Sequence, residues 1–410
     1  MSDAAEFARL RRVTPAEAVD SLKARGNLQV STNWQDLWHE EHAQAFTVSR
    51  LTRLDILQSL HEALVKSAQG DLSRRDWNKD AKALLQQTGW WGKNAVTDTA
   101  TGEQVSTTFN PSRLQLIYDI NLGQAAAAGQ WERLQAAKRT HPYARYITKR
   151  DERVREAHRR WDNLVLPVDH PFWQAHWPPN GWRCRCRAIG VSQREYDRGV
   201  TPTGAPMKKE APEEVLRKYT NPRTGEITDL PVGIDPGFAY NAGVARQQAL
   251  FSLAADKLQA ASPSLAQQAM AQTLFTEAQL KDWMVNPEGD IPLLVIGIED
   301  AAKIGSQTVV AKLSAETAKK QLRHHPELDA AEYLTAQKVI DQKTTVVQDG
   351  EKSLIFIRET YEGTKRGYVV VVKATASGQN LFVTSYRRLS SEDARRDKEI
   401  ERLLLKGQKK

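Results

Sequence analysis

The stretch HPFWQAHWPPNGWRCRCRAIG, His170–Gly190, holds three of the eleven tryptophans, a double proline followed by Asn-Gly, and both cysteines of the chain. Pro178-Pro179-Asn180-Gly181 must turn, because two prolines fix φ and the Asn-Gly pair tolerates positive φ. Trp173, Trp177 and Trp182 around that turn are expected to form a small apolar cluster of their own. The segment reads as a compact irregular knot rather than a helix or a strand. His158, His170, Cys184 and Cys186 are residue types that suit zinc. Their spacing departs from a ribbon or finger, where each cysteine pair brackets at least two residues. The expectation is therefore a knot without metal or cofactor, in which the histidines and Asp151 make hydrogen bonds and the small cysteines fill the core. A disulfide between Cys184 and Cys186, one residue apart, would be strained, and two cysteines suit a reducing compartment.

At 410 residues the chain exceeds one ordinary core, so two or more domains are expected. It is 40% hydrophobic and 26% charged, as a globular protein is. No apolar run is long enough for a membrane span, and MSDAAEFARLRRV lacks the apolar region of a secretory signal. A net charge of +8 and a pI near 9.3 favour anionic company such as nucleic acid.

Ahead of the knot, residues 13–150 read as mainly helical. Thr14-Pro15 opens a helix through Leu22, and Leu51, Leu54, Leu57, Leu60 and Leu64 mark an amphipathic helix ended by Gly70. A further helix runs through Trp77 to Gln87. Gly89-Trp90-Trp91-Gly92 is read as a loop that plugs a core, and Asn110-Pro111-Ser112 opens a helix over 113–128 that 131–139 extends. From Tyr143 to Trp161 the chain is rich in arginine, and Asp151, Arg155, His158 and Trp161 recur at helical spacing on one face.

These residues carry a resemblance. Ala45-Phe46-Thr47-Val48, Gly89-Trp90-Trp91-Gly92, Arg113-Leu114 with Ile117-Tyr118 and Asn121, Pro142-Tyr143 with Tyr146, Asp151 with Arg155 and His158, and Pro178 to Trp182 through Cys184-Arg185-Cys186 stand in order. Residues 15–190 thereby resemble the Mu F-like phage head morphogenesis family, minor capsid proteins bound near the portal. A glycine usual in that family is replaced where Trp161-Asp162-Asn163 stands, so that turn is expected to be built differently. Val232–Gly243, VGIDPGFAYNAG, is similar to the family's tail, and a helix follows over 244–260. The resemblance implies a virion component in the phage head interior, made in the host cytoplasm from a phage or prophage gene. It implies the portal and other head proteins as partners and packaged DNA as company. It does not imply an enzymatic activity for this half.

The period changes after the breaker Asn286-Pro287-Glu288-Gly289-Asp290. Domains are expected at 1–190, 191–260 as an extension, 261–290 as a helical connector, and 291–410. In the last, 308–313 reads as a short strand, Ser314 caps a helix over 315–323, and a second helix spans 328–340. Four strands follow at 344–348, 353–358, 367–375 and 379–387, joined by turns at Asp349-Gly350, Glu362-Gly363 and Ser377-Gly378, before a final charged helix over 390–405. The fold class expected is multi-domain: a mainly α first half with the Trp/Pro/Cys knot, and an α+β second half. The latter has two helices, a four-stranded antiparallel sheet with helices on one face, and a last helix.

His325-Pro326-Glu327-Leu328, Tyr333, the strands SLIFIRE and VVVVKA, and Val383-Thr384-Ser385-Tyr386 resemble the barnase/EndoU/colicin/RelE-like nuclease superfamily, in the phage-borne branch fused behind Mu F-like proteins. This implies a polymorphic-toxin ribonuclease with an RNA substrate and a cognate immunity protein. Metal-independent cleavage by 2′-OH attack needs a base, an acid and cations at the phosphorane. The candidate catalytic residues are His325, with His324 as rival, and Arg358, Lys373, Thr384 and Ser385. Alternation puts Arg358 opposite Ile355 and Ile357, and Lys373 beside Val369 and Val371, so one cleft holding both is not assured. Thr384 and Ser385 point to opposite faces unless a bulge intervenes. The alternative is a purely structural head protein whose basic second half binds nucleic acid without catalysis. A metal-dependent DNA nuclease is disfavoured, because the second half offers no carboxylate cluster for magnesium.

Overall fold

The computed structural model describes residues 16–98, 100–272, 274–285, 287–359 and 367–407. The Thr14-Pro15 helix start, Asn286 of the breaker and the Glu362-Gly363 turn lie outside the described residues. The chain divides into two compact units, Met1–Ala249 and Leu250–Lys410.

In the first unit, helix Leu54–Gln69 buries Leu57, Leu60 and Leu64 in one core with Leu51, whereas Leu54 stands 52% exposed at its first turn. Gly70, at φ 93°, ends the helix with its N–H on the Lys66 and Ser67 carbonyls. Helix Arg74–Gln87 starts at Ser73, whose hydroxyl accepts from the Asp76 N–H, and adds Trp77 and Leu85 to the same core. Helix Pro111–Ala136 opens on the Asn110 cap and runs unbroken through Gly129. That glycine lets helix Ala16–Ala24 pass close by, for a Cβ at 129 would lie 2.5 Å from the Ala18 nitrogen.

The first unit is mainly helical and also carries short strands. Gly92–Thr97 and Gln104–Phe109 form a hairpin behind the Trp90-Trp91 pair. Tyr143–Ile147 lies between Val165–Pro167 and Arg187–Val191 in a three-stranded antiparallel sheet, and Leu216–Thr220 pairs with Ile227–Pro231. The single helical face expected over Asp151–Trp161 is corrected accordingly. Only Glu156–Trp161 is helical: Tyr143–Ile147 pairs in the sheet, and the chain turns between the two over 148–155.

The second unit begins earlier than the breaker at 286–290. Phe251, Phe275, Leu280 and Trp283 share a core with the sheet, so residues 250–289 pack as part of this unit rather than as a connector. The sheet has six strands, not four. Their order is Asp290–Val295, Val310–Ser314, Leu381–Arg388, Tyr368–Ala374, Ser353–Arg358 and Thr345–Gln348. All neighbours run antiparallel except Val310–Ser314 beside Leu381–Arg388, which are parallel. Helices cover both faces instead of one. Ala318, Tyr333, Val339 and Ile340 pack on Leu354, Phe356, Val370 and Val372, while helix Asp393–Lys406 sets Leu403 and Ile400 against Ile355, Ile357 and Val369. The helix expected over 328–340 is two short ones, Ala330–Tyr333 and Ala336–Asp341. Among the described residues no helix is long and apolar enough to cross a membrane.

Candidate functional site

The knot is built from four chain segments. Phe172–His176 makes a short helix whose Trp173 and Trp177 rings meet edge to face at 5.6 Å, and Trp131 of the long helix packs on Trp177 at 4.8 Å. Trp177 Nε1 donates to the Ala127 carbonyl at 3.0 Å, and Trp173 Nε1 to the Pro167 carbonyl at 3.0 Å. Trp182 does not join them as the sequence suggested. It is 36% exposed and packs against Trp34 and Phe238. Asn180, fully buried just after Pro178-Pro179, accepts from the Tyr146 hydroxyl at 2.8 Å and donates to the Ala175 carbonyl at 3.3 Å.

The strap Val232–Gly243 closes the knot. Asp235 accepts from Arg155 Nη2 and from the Trp182 N–H, both at 2.8 Å. Asn241 donates to the Trp173 carbonyl at 3.1 Å, and Gly243 lies where any Cβ would meet Trp131. Asp151 holds Arg185 through two hydrogen bonds of 2.6 and 2.7 Å, a pairing that keeps its carboxyl below the usual range. Within this frame His158 Nδ1 stands 3.7 Å from Cys184 Sγ and 3.5 Å from Cys186 Sγ. The contact between the two sulfurs draws the Cys184 thiol down against its burial, whereas that contact and burial push the Cys186 thiol up. His170 is not part of the group. Its Nδ1 accepts from the Phe172 N–H at 3.1 Å and so starts the short helix.

In the second unit the expected catalytic residues divide between the two faces of the sheet. Arg358 has the parity of Leu354 and Phe356, is 8% exposed, and donates to the Lys338 carbonyl at 3.2 Å. Lys373 lies exposed on the opposite face, across from Ser353 and Phe382. A bulge does intervene between Thr384 and Ser385: Val371 faces Ser385 and Val372 faces Val383, leaving Thr384 extra and exposed, with its hydroxyl 3.3 Å from the Val371 carbonyl. His325 follows helix Ala315–His324, which Ser314 caps, and His324 is exposed. His325 Nδ1 lies 3.2 Å from Glu327 Oε1.

A different polar cluster forms beside His325. Glu332 takes Arg388 in two hydrogen bonds of 2.7 and 2.6 Å and the Tyr368 hydroxyl at 2.8 Å. Arg388 also donates to the Glu327 carbonyl at 3.0 Å. Burial would raise the Glu332 carboxyl, but Arg388 and Tyr368 outweigh it and hold it below its ordinary value. Sequence reading missed Glu332 and Arg388, since a glutamate in a short helix and an arginine closing a strand both look like solvated surface.

Comparison with known proteins concerns mainly the first unit. Residues 59–189 match the family described as Phage Mu protein F like protein. A protein of Escherichia phage Mu named "Putative capsid assembly protein F" is 34% identical over 187 residues, 46% of this chain and 42% of that protein. The match therefore spans less than half the length of that relative. The Mu-like prophage FluMu F protein of Haemophilus influenzae is 26% identical over 368 residues, 81% of this chain and 87% of that protein. That share exceeds the first unit, so the likeness runs on into the second. No solved structure matches. The N-terminal part of the chain carries a Mu F-like domain.

Proposed function

We propose that this chain is a phage or prophage head assembly protein, working beside the portal and other head proteins and carried in the particle. One observation carries this reading: the segment matching the Mu F-like family, 59–189, supplies Trp131, Trp161, Trp173, Trp177 and both cysteines of the knot. The basic rim of the knot, with Lys149, Arg153, Arg155, Arg183 and Arg185 around one pocket, suits an anionic neighbour such as an acidic protein face or packaged DNA. The test is a nonsense mutation early in the gene within an inducible prophage. The expected result is a loss of filled heads, restored when the full chain is supplied in trans, and recovery of the chain in purified heads. Normal yields of filled heads without the chain would sink the assembly role.

A second reading keeps a metal-independent ribonuclease in the second unit, with an immunity protein as its partner, on the strength of the cluster beside His325. There His325 and Glu327 would exchange protons while Arg388, fixed by Glu332, would face the phosphate. Arg358, Lys373, Thr384 and Ser385 have no shared place in that arrangement. The full chain is incubated with RNA in the presence of chelator. The expected products carry 2′,3′-cyclic phosphates, and His325→Ala slows their appearance by at least about a hundredfold. RNA left intact by the unmutated chain would remove this reading and leave the assembly role standing.

A further inference from the structure

We propose that His158, Cys184 and Cys186 form a binding site for zinc, with three protein ligands and a fourth position open to solvent. These three residues are the group among the described residues whose ligand atoms all lie within 4.8 Å of one another. A tetrahedral zinc with bonds of about 2.3 Å to sulfur and about 2.1 Å to nitrogen spaces its ligand atoms roughly 3.6–3.8 Å apart. The observed His158 Nδ1 distances to the two sulfurs, 3.7 and 3.5 Å, fit that spacing.

A thiol–imidazole hydrogen bond has a similar length, so distance alone does not decide. The decisive point is that both sulfurs converge on one ring nitrogen, whose in-plane lone pair accepts a single proton well. A cation at the focus of the three atoms satisfies all of them. The histidine is also set for this role. Its Nε2 lies 3.0 Å from the Gly233 carbonyl, which can only accept, so Nε2 carries the proton and Nδ1 presents its lone pair to the sulfurs. Gly233 sits at φ 103°, and a Cβ there would lie 2.5 Å from the Ala157 Cβ, so a glycine is what lets this carbonyl reach the ring.

The Cys-x-Cys spacing follows from the same geometry. In the loop that leads into strand Arg187–Val191, Cys184 and Cys186 bring both sulfurs to the same ring nitrogen. The third ligand comes from helix Glu156–Trp161 rather than from a second cysteine pair. A small pocket is lined by the three ligand residues, and its walls include Lys149, Arg153, Arg155 and Arg183. Two thiolates neutralise the zinc charge, so this cationic wall does not repel the centre, and it leaves a solvent or anionic oxygen for the fourth position.

The experiment uses the tag-free full chain, purified reduced from zinc-supplemented cells. Elemental analysis is expected to find about one zinc per chain, and cobalt(II) exchanged into the wild-type protein is expected to give thiolate-to-cobalt charge-transfer and tetrahedral d–d bands. Folded Cys184→Ser and Cys186→Ser should each lose at least about tenfold in zinc affinity, while folded His170→Ala should keep it. A folded wild-type chain with only trace zinc and no charge-transfer band on cobalt addition overturns the site, whether or not the variants fold. So does zinc retained at full affinity in Cys184→Ser, or lost in folded His170→Ala.

Discussion

His176 is a neutral histidine inside the first unit, stacked on Phe172 at 4.0 Å and edge-on to Trp161 at 4.8 Å. Burial pushes its pKa down to about 4, and Glu214 at 3.9 Å from Nδ1 does not offset this. The unfolded chain takes up that proton near its ordinary pKa of 6.5, the folded chain only near 4. Stability should therefore fall by on the order of 3 kcal/mol between those two pH values and level off below them. Denaturant midpoints across that range should show this slope in the wild type and lose most of it in His176→Phe. An unchanged slope in the variant would place the titration elsewhere. Asp98 acts at lower pH. The Arg223 guanidinium, 2.7 Å away, holds it at about 2, so its contribution is present above its ordinary value of 3.8 and lost as pH falls toward 2.

Two elements show how single residues decide packing. At Gly129 the long helix meets helix Ala16–Ala24, and helix propensity and space pull in opposite directions. Alanine would gain about 1 kcal/mol as a helix former, but its Cβ would meet backbone of Ala18 at 2.5 Å. Overpacking costs about 1–3 kcal/mol and backbone cannot swing aside, so Gly129→Ala should lower the thermal midpoint of the first unit. A higher midpoint would mean the helices can part at no cost. In the second unit, Gln337 reaches from its short helix to the outer edge of strand Asp290–Val295. It accepts from the Val295 N–H at 2.6 Å and donates to the Val295 carbonyl at 3.0 Å. That amide covers backbone groups which an edge strand would otherwise leave bare. Gln337→Leu keeps the volume and strands both groups, at about 1–3 kcal/mol. Chemical denaturation should report the loss, and no change would mean that water replaces the amide.

At the scale of the molecule, each unit has its own aromatic and aliphatic core, so calorimetry of the full chain should resolve two unfolding steps; one step with equal calorimetric and van't Hoff enthalpies would contradict this. Much of this organisation is local and was legible in the sequence. Leucines at helical spacing, the Asn110 and Ser314 caps, Gly70 and the last four strands each follow from the residues that form them. What the sequence could not supply were pairings between distant segments. Tyr143–Ile147 has helical spacing downstream of it yet becomes a strand because Arg187–Val191 lies alongside. Strand Asp290–Val295 exists as the edge of a sheet whose neighbour, Val310–Ser314, is set by Leu381–Arg388 some seventy residues on. The candidate sites divide in the same way. Residue types named His158, Cys184 and Cys186, but only the fold brought the ring to both sulfurs, dismissed His170, and set Gly233 behind the imidazole. The sequence determined which reactive residue types the chain holds and where many of its turns and caps fall. Tertiary structure alone decided which of them meet, because contacts between residues far apart depend on how whole elements pack and not on any local spacing.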